Sequence, residues 1–227
     1  YQNEQLADLL LKVSNSTGLE IQSGGYFGNG EKVYIQLKSD DLKLGKDKVE
    51  GYLTGINSFD GSTSLAFGPS SVTISCMNSF FAAFRSIETK VRHTKNMTNK
   101  VDEICRSLES VLEQEKTIFK SIKELSEIKI QPGNVEKVLR TLFNVAPEVD
   151  LKNEEQTSTI LKNKLSRFHI DLNGEIAQKG DNLWGLFSGV TKYTTHSLTK
   201  DDNTEAKMFG VYGNREKQIF HDLVELV

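Results

Sequence analysis

The stretch L-E-I-Q-S-G-G-Y-F-G-N-G-E-K-V-Y-I-Q-L-K, Leu19 to Lys38, decides the fold. Leu19 to Phe27 and Lys32 to Lys38 flank Asn29-Gly30, a dipeptide that accepts the positive φ angles of a tight hairpin turn. Val33, Ile35 and Leu37 alternate along the second run and so share one face of a strand. The pattern then recurs. Glu50 to Asn57 and Ser62 to Phe67 flank Asp60-Gly61, and Ser70 to Cys76, with Val72 and Ile74, adds a short strand. Consecutive hairpins of this kind predict a bent antiparallel sheet. The connector from Ser39 to Val49 is rich in Lys and Asp and is expected to be solvated.

Outside this block the period changes from two to about 3.6. Leu6, Leu9, Leu10 and Val13 predict a helix over Asn3 to Val13, capped by Asn3 and stopped by Asn15 to Gly18. Phe80, Phe81 and Phe84 suit a helix lying across the sheet. Ile87, Thr89 and Val91 alternate as in a strand. From Thr98 to Ile128 a stripe of Val101, Ile104, Leu108, Val111, Ile118, Ile122 and Leu125 predicts a long helix, with Glu115 interrupting its apolar seam. Gln131-Pro132-Gly133 ends it. Further amphipathic helices are expected over Asn134 to Val145, Asn153 to Phe168, Asp181 to Leu198 and Asn214 to Val227. Trp184, Phe187, Val190 and Tyr193 form one packed face, since aromatic stripes at this spacing belong to cores.

The fold class is therefore α+β, a bent antiparallel sheet with helices packed on it, followed by a helical C-terminal half. The organisation expected is a sheet region at 1–97 and a helical region at 98–227, packed together as one unit. With 227 residues, 37% hydrophobic and 26% charged, the chain can bury a sizeable core without staples. It holds 28 basic and 31 acidic residues, a formal charge of −3, and only three prolines and two cysteines, Cys76 and Cys105. Two cysteines exclude a disulfide framework and suit a reduced, cytoplasmic setting, with both thiols free. No apolar run of 18 residues exists, so no membrane partner is expected. The chain starts at Tyr1 and shows no signal peptide, which reads as a fragment.

Chemistry is harder to find. His93, His169, His196 and His221 lie far apart, with no second His or Cys at ligand spacing, so neither a metal nor another cofactor is expected. Asp40, Asp41 and Asp47 sit in a charged loop and Asp60 begins a turn, which accounts for them without magnesium. Gly24, Gly25, Gly28 and Gly30 precede a strand and not a helix, which removes a dinucleotide loop. The local anomaly is electrostatic. Between Arg85 and Lys100 the bases Arg85, Lys90, Arg92, Lys95 and Lys100 face one acid, Glu88, a local charge of +4 in an acidic chain, with His93 among them. Beside a sheet bearing Tyr26, Tyr34 and Tyr52 this suits phosphate neutralisation with base stacking on single-stranded nucleic acid. A solvated basic loop paired with the acids of the next helix explains the same residues.

Four segments together are more specific: S-G-G-Y-F-G-N-G-E-K-V-Y-I at Ser23, G-Y-L-T-G-I-N-S-F-D-G-S-T-S at Gly51, V-T-I-S-C-M-N-S at Val72 and V-R-H-T at Val91. In this order they resemble the phage/plasmid-like proteins of the domain of unknown function 932 family. D-N-L-W-G-L-F-S-G-V-T-K-Y-T-T-H, from Asp181, and F-G-V-Y-G-N-R-E-K-Q, from Phe209, are similar to that family's distal helix and ending. Phe59, Ser79 and Ser188 depart from the family pattern, which puts in doubt any role resting on those side chains. The resemblance implies a setting in phages, prophages and plasmids, hence the cytoplasm of a host cell, and an additional N-terminal region ahead of Tyr1. The element order is similar, more distantly, to single-strand annealing proteins.

Three functions follow as expectations. The first is a phage/plasmid-type DNA-binding protein acting in recombination as a homo-oligomer, without catalysis. It would hold single-stranded DNA through Arg85, Lys90, Arg92, His93, Lys95 and Lys100, with Tyr26 or Phe27 stacking on bases. The second is a metal-dependent nuclease using Asp60, His93 and His196. The third is a phage structural or host-interaction protein whose surface for a host protein is the helix from Thr98 to Ile128.

Overall fold

The structure, a computed structural model, describes residues 3–45, 47–71, 87, 89–92, 108–151, 153, 157–197 and 211–227. The expected helix around Phe80 to Phe84, the strand beyond residue 71, both cysteines and the first part of the long helix lie outside these. The chain divides into two compact units, Tyr1–Phe119 and Lys120–Val227.

In the first unit α1 (Asn3–Thr17) precedes β1 (Ile21–Phe27) and β2 (Lys32–Lys38), then β3 (Leu42–Leu44), β4 (Asp47–Val49), β5 (Tyr52–Ser58), β6 (Leu65–Ser70) and β7 (Lys90–Val91). The main sheet is antiparallel in the order β1-β2-β5-β6-β7. Gly28 and Gly30 both take positive φ in the first turn, as the hairpin requires. The register pairs Val33 with Asn57, Ile35 with Gly55 and Leu37 with Leu53, so these six residues share one face. That face belongs to α1. Leu6, Leu9, Leu10 and Val13 are buried against Leu37, Leu53, Leu65, Phe67 and Val91, and Asn3 Oδ1 accepts from Asn57 Nδ2 at 3.4 Å. Gly55 permits the close approach, because a Cβ there would lie 2.7 Å from Leu10.

The opposite face carries Lys32, Tyr34, Gln36 and Lys38 on β2 and Tyr52, Thr54, Ile56 and Ser58 on β5, by the same register. Its centre is buried too, and Gln36 Nε2 donates to Thr54 Oγ1 at 3.0 Å there. Ile87 lies on this side, 3.2 Å from where a Gly68 Cβ would stand, whereas Val91 belongs to the α1 side. The alternation read across Ile87 to Arg92 therefore breaks. Only Lys90 and Val91 enter the ladder, and Ile87 precedes it.

The connector expected to be solvated is instead a small hairpin, β3 with β4. Its charges are used locally: Lys38 pairs with Asp41, and Lys48 reaches Asp41 at 3.4 Å and Glu50 at 2.8 Å. Mutual neutralisation among neighbours lets a polar segment pack.

The second unit is helical. α2 (Leu108–Glu127) runs through the boundary between the units, and α3 (Pro132–Phe143), α4 (Thr159–Lys179), α5 (Leu183–Lys192), a π-helical turn (Tyr193–Ser197) and α6 (Val211–Val224) follow. Proline at the start of α3 and Asn144 in the left-handed region after it bound that helix. Ser158 accepts from Leu161 N at 3.2 Å and Asn182 from Gly185 N at 2.9 Å, fixing where α4 and α5 begin. α4 starts later than its periodicity suggested and runs past Phe168 to Gly180, since nothing before that glycine stops it. Phe143, Phe168 and Tyr193 meet edge to face, with centroids 5.4 to 6.3 Å apart.

Candidate nucleic-acid interface

Four of the eight residues singled out for nucleic acid are described, and the sheet separates them. Tyr26 and Phe27 end β1, one edge of the sheet; Lys90 and Arg92 lie in and just after β7, the other edge. Four strand spacings intervene, about 19 Å at the usual interstrand distance. Arg85, His93, Lys95 and Lys100 lie outside the described residues. A single groove uniting the aromatic and basic residues is thus absent among the described residues.

The two aromatics also part company with each other. Neighbouring positions in a strand point to opposite faces. Tyr26 pairs with Val33 and takes the α1 side, where it is 68% exposed. Phe27 pairs with Lys32 on the other side and stacks on Tyr34, with ring centroids 5.9 Å apart and planes 22° from parallel. The Tyr34 ring crosses Gly25, where a Cβ would meet it at 3.1 Å, so Gly25 is what lets the pair lie flat on the sheet. Both rings are half-buried. Tyr34, one of the three sheet tyrosines named beside the basic patch, is thus the ring that joins Phe27, on the same face as Lys32, the β2 partner of Phe27.

Lysines bracket this pair along β2. Lys32 is ion-paired to Asp60, whose other oxygen accepts from Ser62 N at 2.9 Å and Ser62 Oγ at 2.6 Å. Burial pushes the Asp60 carboxyl up, but the hydrogen bonds from Lys32 and Ser62 outweigh it and hold the group well below the usual carboxylate range. Lys38 sits 4.9 Å over the Tyr52 ring while bonded to Asp41 and to the Ser39 and Gly51 carbonyls. At the far edge Lys90 turns its ammonium back onto the Ile87 carbonyl, whereas Arg92 is exposed.

Of the nuclease set, Asp60 belongs to the first unit, His196 is exposed on the π-helical turn of the second, and His93 lies outside the described residues. One His/carboxylate cluster does occur. His221, Asp222 and Glu225 bring ligand-type atoms within 4.8 Å of one another on α6, a grouping missed by a search for His and Cys alone. Its carboxylates already serve Gln218 at 2.6 Å, Lys137 at 3.5 Å and His221 itself at 3.3 Å. Part of the α2 seam is closed off. Val111, Ile122 and Leu125 are all buried, leaving Glu113, Lys116 and Lys120 outward.

Among the described residues no helix is long and apolar enough to cross a membrane. No curated protein and no solved structure matches the chain. One family model does, over residues 1–216, a span that includes the glycine-rich hairpin, the Asn57-to-Gly61 turn and the Trp184 helix; the chain belongs to the family described as domain of unknown function 932.

Proposed function

We propose that the protein binds single-stranded DNA, without catalysis, as a phage- or plasmid-type recombination or annealing factor in the cytoplasm of a host cell. The observation that carries this reading is the Phe27–Tyr34 pair, two nearly parallel rings on a sheet face with a lysine on either side along β2. Aromatic platforms of this kind stack on any base and so need no sequence code. Arg92 and the basic stretch from Arg85 to Lys100 supply the phosphate contacts. Because platform and Arg92 stand at opposite sheet edges, a strand engages both by passing around the sheet or from one copy of the protein to the next. The host-interaction alternative would have to use the part of the Thr98-to-Ile128 helix outside the described residues or its outward residues Glu113, Lys116 and Lys120, since Val111, Ile122 and Leu125 are buried.

Titration of a fluorescent single strand across a salt series tests the proposal. Affinity should fall steeply with salt, and Arg92→Gln should shallow the slope by about 0.7 per lost contact. Phe27→Ala should weaken binding by roughly 1 to 3 kcal/mol at every salt concentration, with Phe27→Trp retaining it. Absence of binding at low salt, or an unchanged Phe27→Ala variant, would remove the proposal.

A further inference from the structure

Among the described residues the strand β1 pairs on one side only, with β2, and it lacks the charges and prolines that commonly guard an exposed edge. I-Q-S-G-G-Y-F contains no charge and no proline. A bulge between Ile21 and Ser23 interrupts it near its start, and Gly28 turns the chain at its end, so the regular part is Ser23 to Phe27. Gly25 is the midpoint of that part.

This stretch is complementary to itself. Two copies aligned antiparallel about a twofold axis through Gly25 pair Gly25 with Gly25, Gly24 with Tyr26 and Ser23 with Phe27. Each large side chain then lies over a small one on both faces of the sheet. Tyr26, 68% exposed in the single chain, would cover the bare backbone of the second copy's Gly24, which is itself exposed. Such aromatic cover of a glycine is a recognised way of fixing register between strands. On the other face Phe27 would lie over Ser23. A foreign strand offers no such match, whereas a second copy offers it twice by symmetry.

We infer that β1 is a self-association edge, through which two copies of this chain join antiparallel, in the register centred on Gly25, so that their two main sheets become one continuous sheet. The pairing uses backbone hydrogen bonds and the Tyr26-on-Gly24 contact. It does not depend on nucleic acid.

The test is the mass of the full chain in solution, measured by light scattering over a concentration series without nucleic acid. Wild type should approach twice the chain mass, and Tyr26→Lys, a substitution at an exposed site, should return the mass to that of one chain with an unchanged circular dichroism spectrum. Register is tested separately by a Gly24→Cys/Tyr26→Cys double variant. Directly opposed residues in an antiparallel pair have Cα atoms about 4.5 to 5.5 Å apart, within disulfide reach. A Cβ at Gly24 meets nothing closer than 3.4 Å, so the cysteine fits. The oxidised double variant should run as a covalent dimer on a non-reducing gel, while neither single variant should exceed the wild-type background from Cys76 and Cys105. A wild type of single-chain mass at all concentrations, or a dimer that Tyr26→Lys leaves intact, would overturn the inference. Cross-linking by Gly24→Cys alone would overturn the register.

Discussion

Ser39, one residue past β2, donates its hydroxyl to the Glu115 carboxylate on α2, seventy-six positions later in the chain. The contact ties the end of a strand to a helix. It also explains why an acid interrupts the apolar stripe of α2: Glu115 is 9% exposed, and its second oxygen, Oε1, is buried without a hydrogen-bond partner. Burial is the main cause that raises the Glu115 carboxyl above its ordinary value; the Ser39 bond opposes it and the charge of Asp40 adds to it.

A carboxyl whose folded value is raised binds more protons folded than unfolded, so its contribution to stability is present below the ordinary Glu range and is lost as pH rises through the folded value. Glu115→Gln removes that loss. In urea titrations at about pH 4.5 and pH 7.5 the variant should gain on wild type as the pH rises. A constant difference between the two proteins would contradict the assignment.

Asp60 behaves in the opposite sense. Its folded value is depressed, so its stabilisation is present above the ordinary Asp range and fades as pH falls below it. Asp60→Asn should cost roughly 1 to 2 kcal/mol near neutrality, by removing the Lys32–Asp60 ion pair. The cost should shrink in acid, and denaturant melts at neutral and acidic pH read it directly.

In the helical unit, Trp184 is 8% exposed, lies 6.1 Å from Phe187 and carries the Lys179 ammonium over its ring at 5.3 Å. Trp184→Ala should lower stability by about 3 to 5 kcal/mol, as large aromatic truncations in cores do. Thermal melting of the two proteins side by side checks it, and an unchanged midpoint would refute the core placement.

Two glycines separate packing from helix propensity. A Cβ on Gly189 would stand 2.9 Å from the Leu172 backbone, where α5 crosses α4, whereas a Cβ on Gly133 meets nothing within 4 Å. Gly189→Ala should therefore destabilise by about 1 to 3 kcal/mol through overpacking, despite alanine's better helix propensity. Gly133→Ala should be neutral or slightly stabilising. Equal effects in equilibrium unfolding would show that α4 and α5 are less tightly packed than their geometry indicates.

The features legible in the linear chain are those encoded at short range. Leu6, Leu9, Leu10 and Val13 lie on one face because a helix repeats every 3.6 residues, and all four are buried. Val33, Ile35 and Leu37 share a face because a strand repeats every two, and that face meets α1. Asn29-Gly30 and Asp60-Gly61 mark turns because glycine accepts positive φ, which Gly30 and Gly61 both adopt. The rest depends on contacts between distant parts of the chain. That β5 is buried along its whole length depends on its central place in the sheet, which no alternation reveals. The charges between Ser39 and Val49 look solvated in the sequence, yet they neutralise one another once β3 and β4 pair. Tyr26, Phe27 and Arg92 seemed to belong together because each suits nucleic acid, but strand order sends the aromatics to one edge and the arginine to the other. Residue type fixes what a side chain can do, and only the register of the sheet fixes which neighbours it does it with.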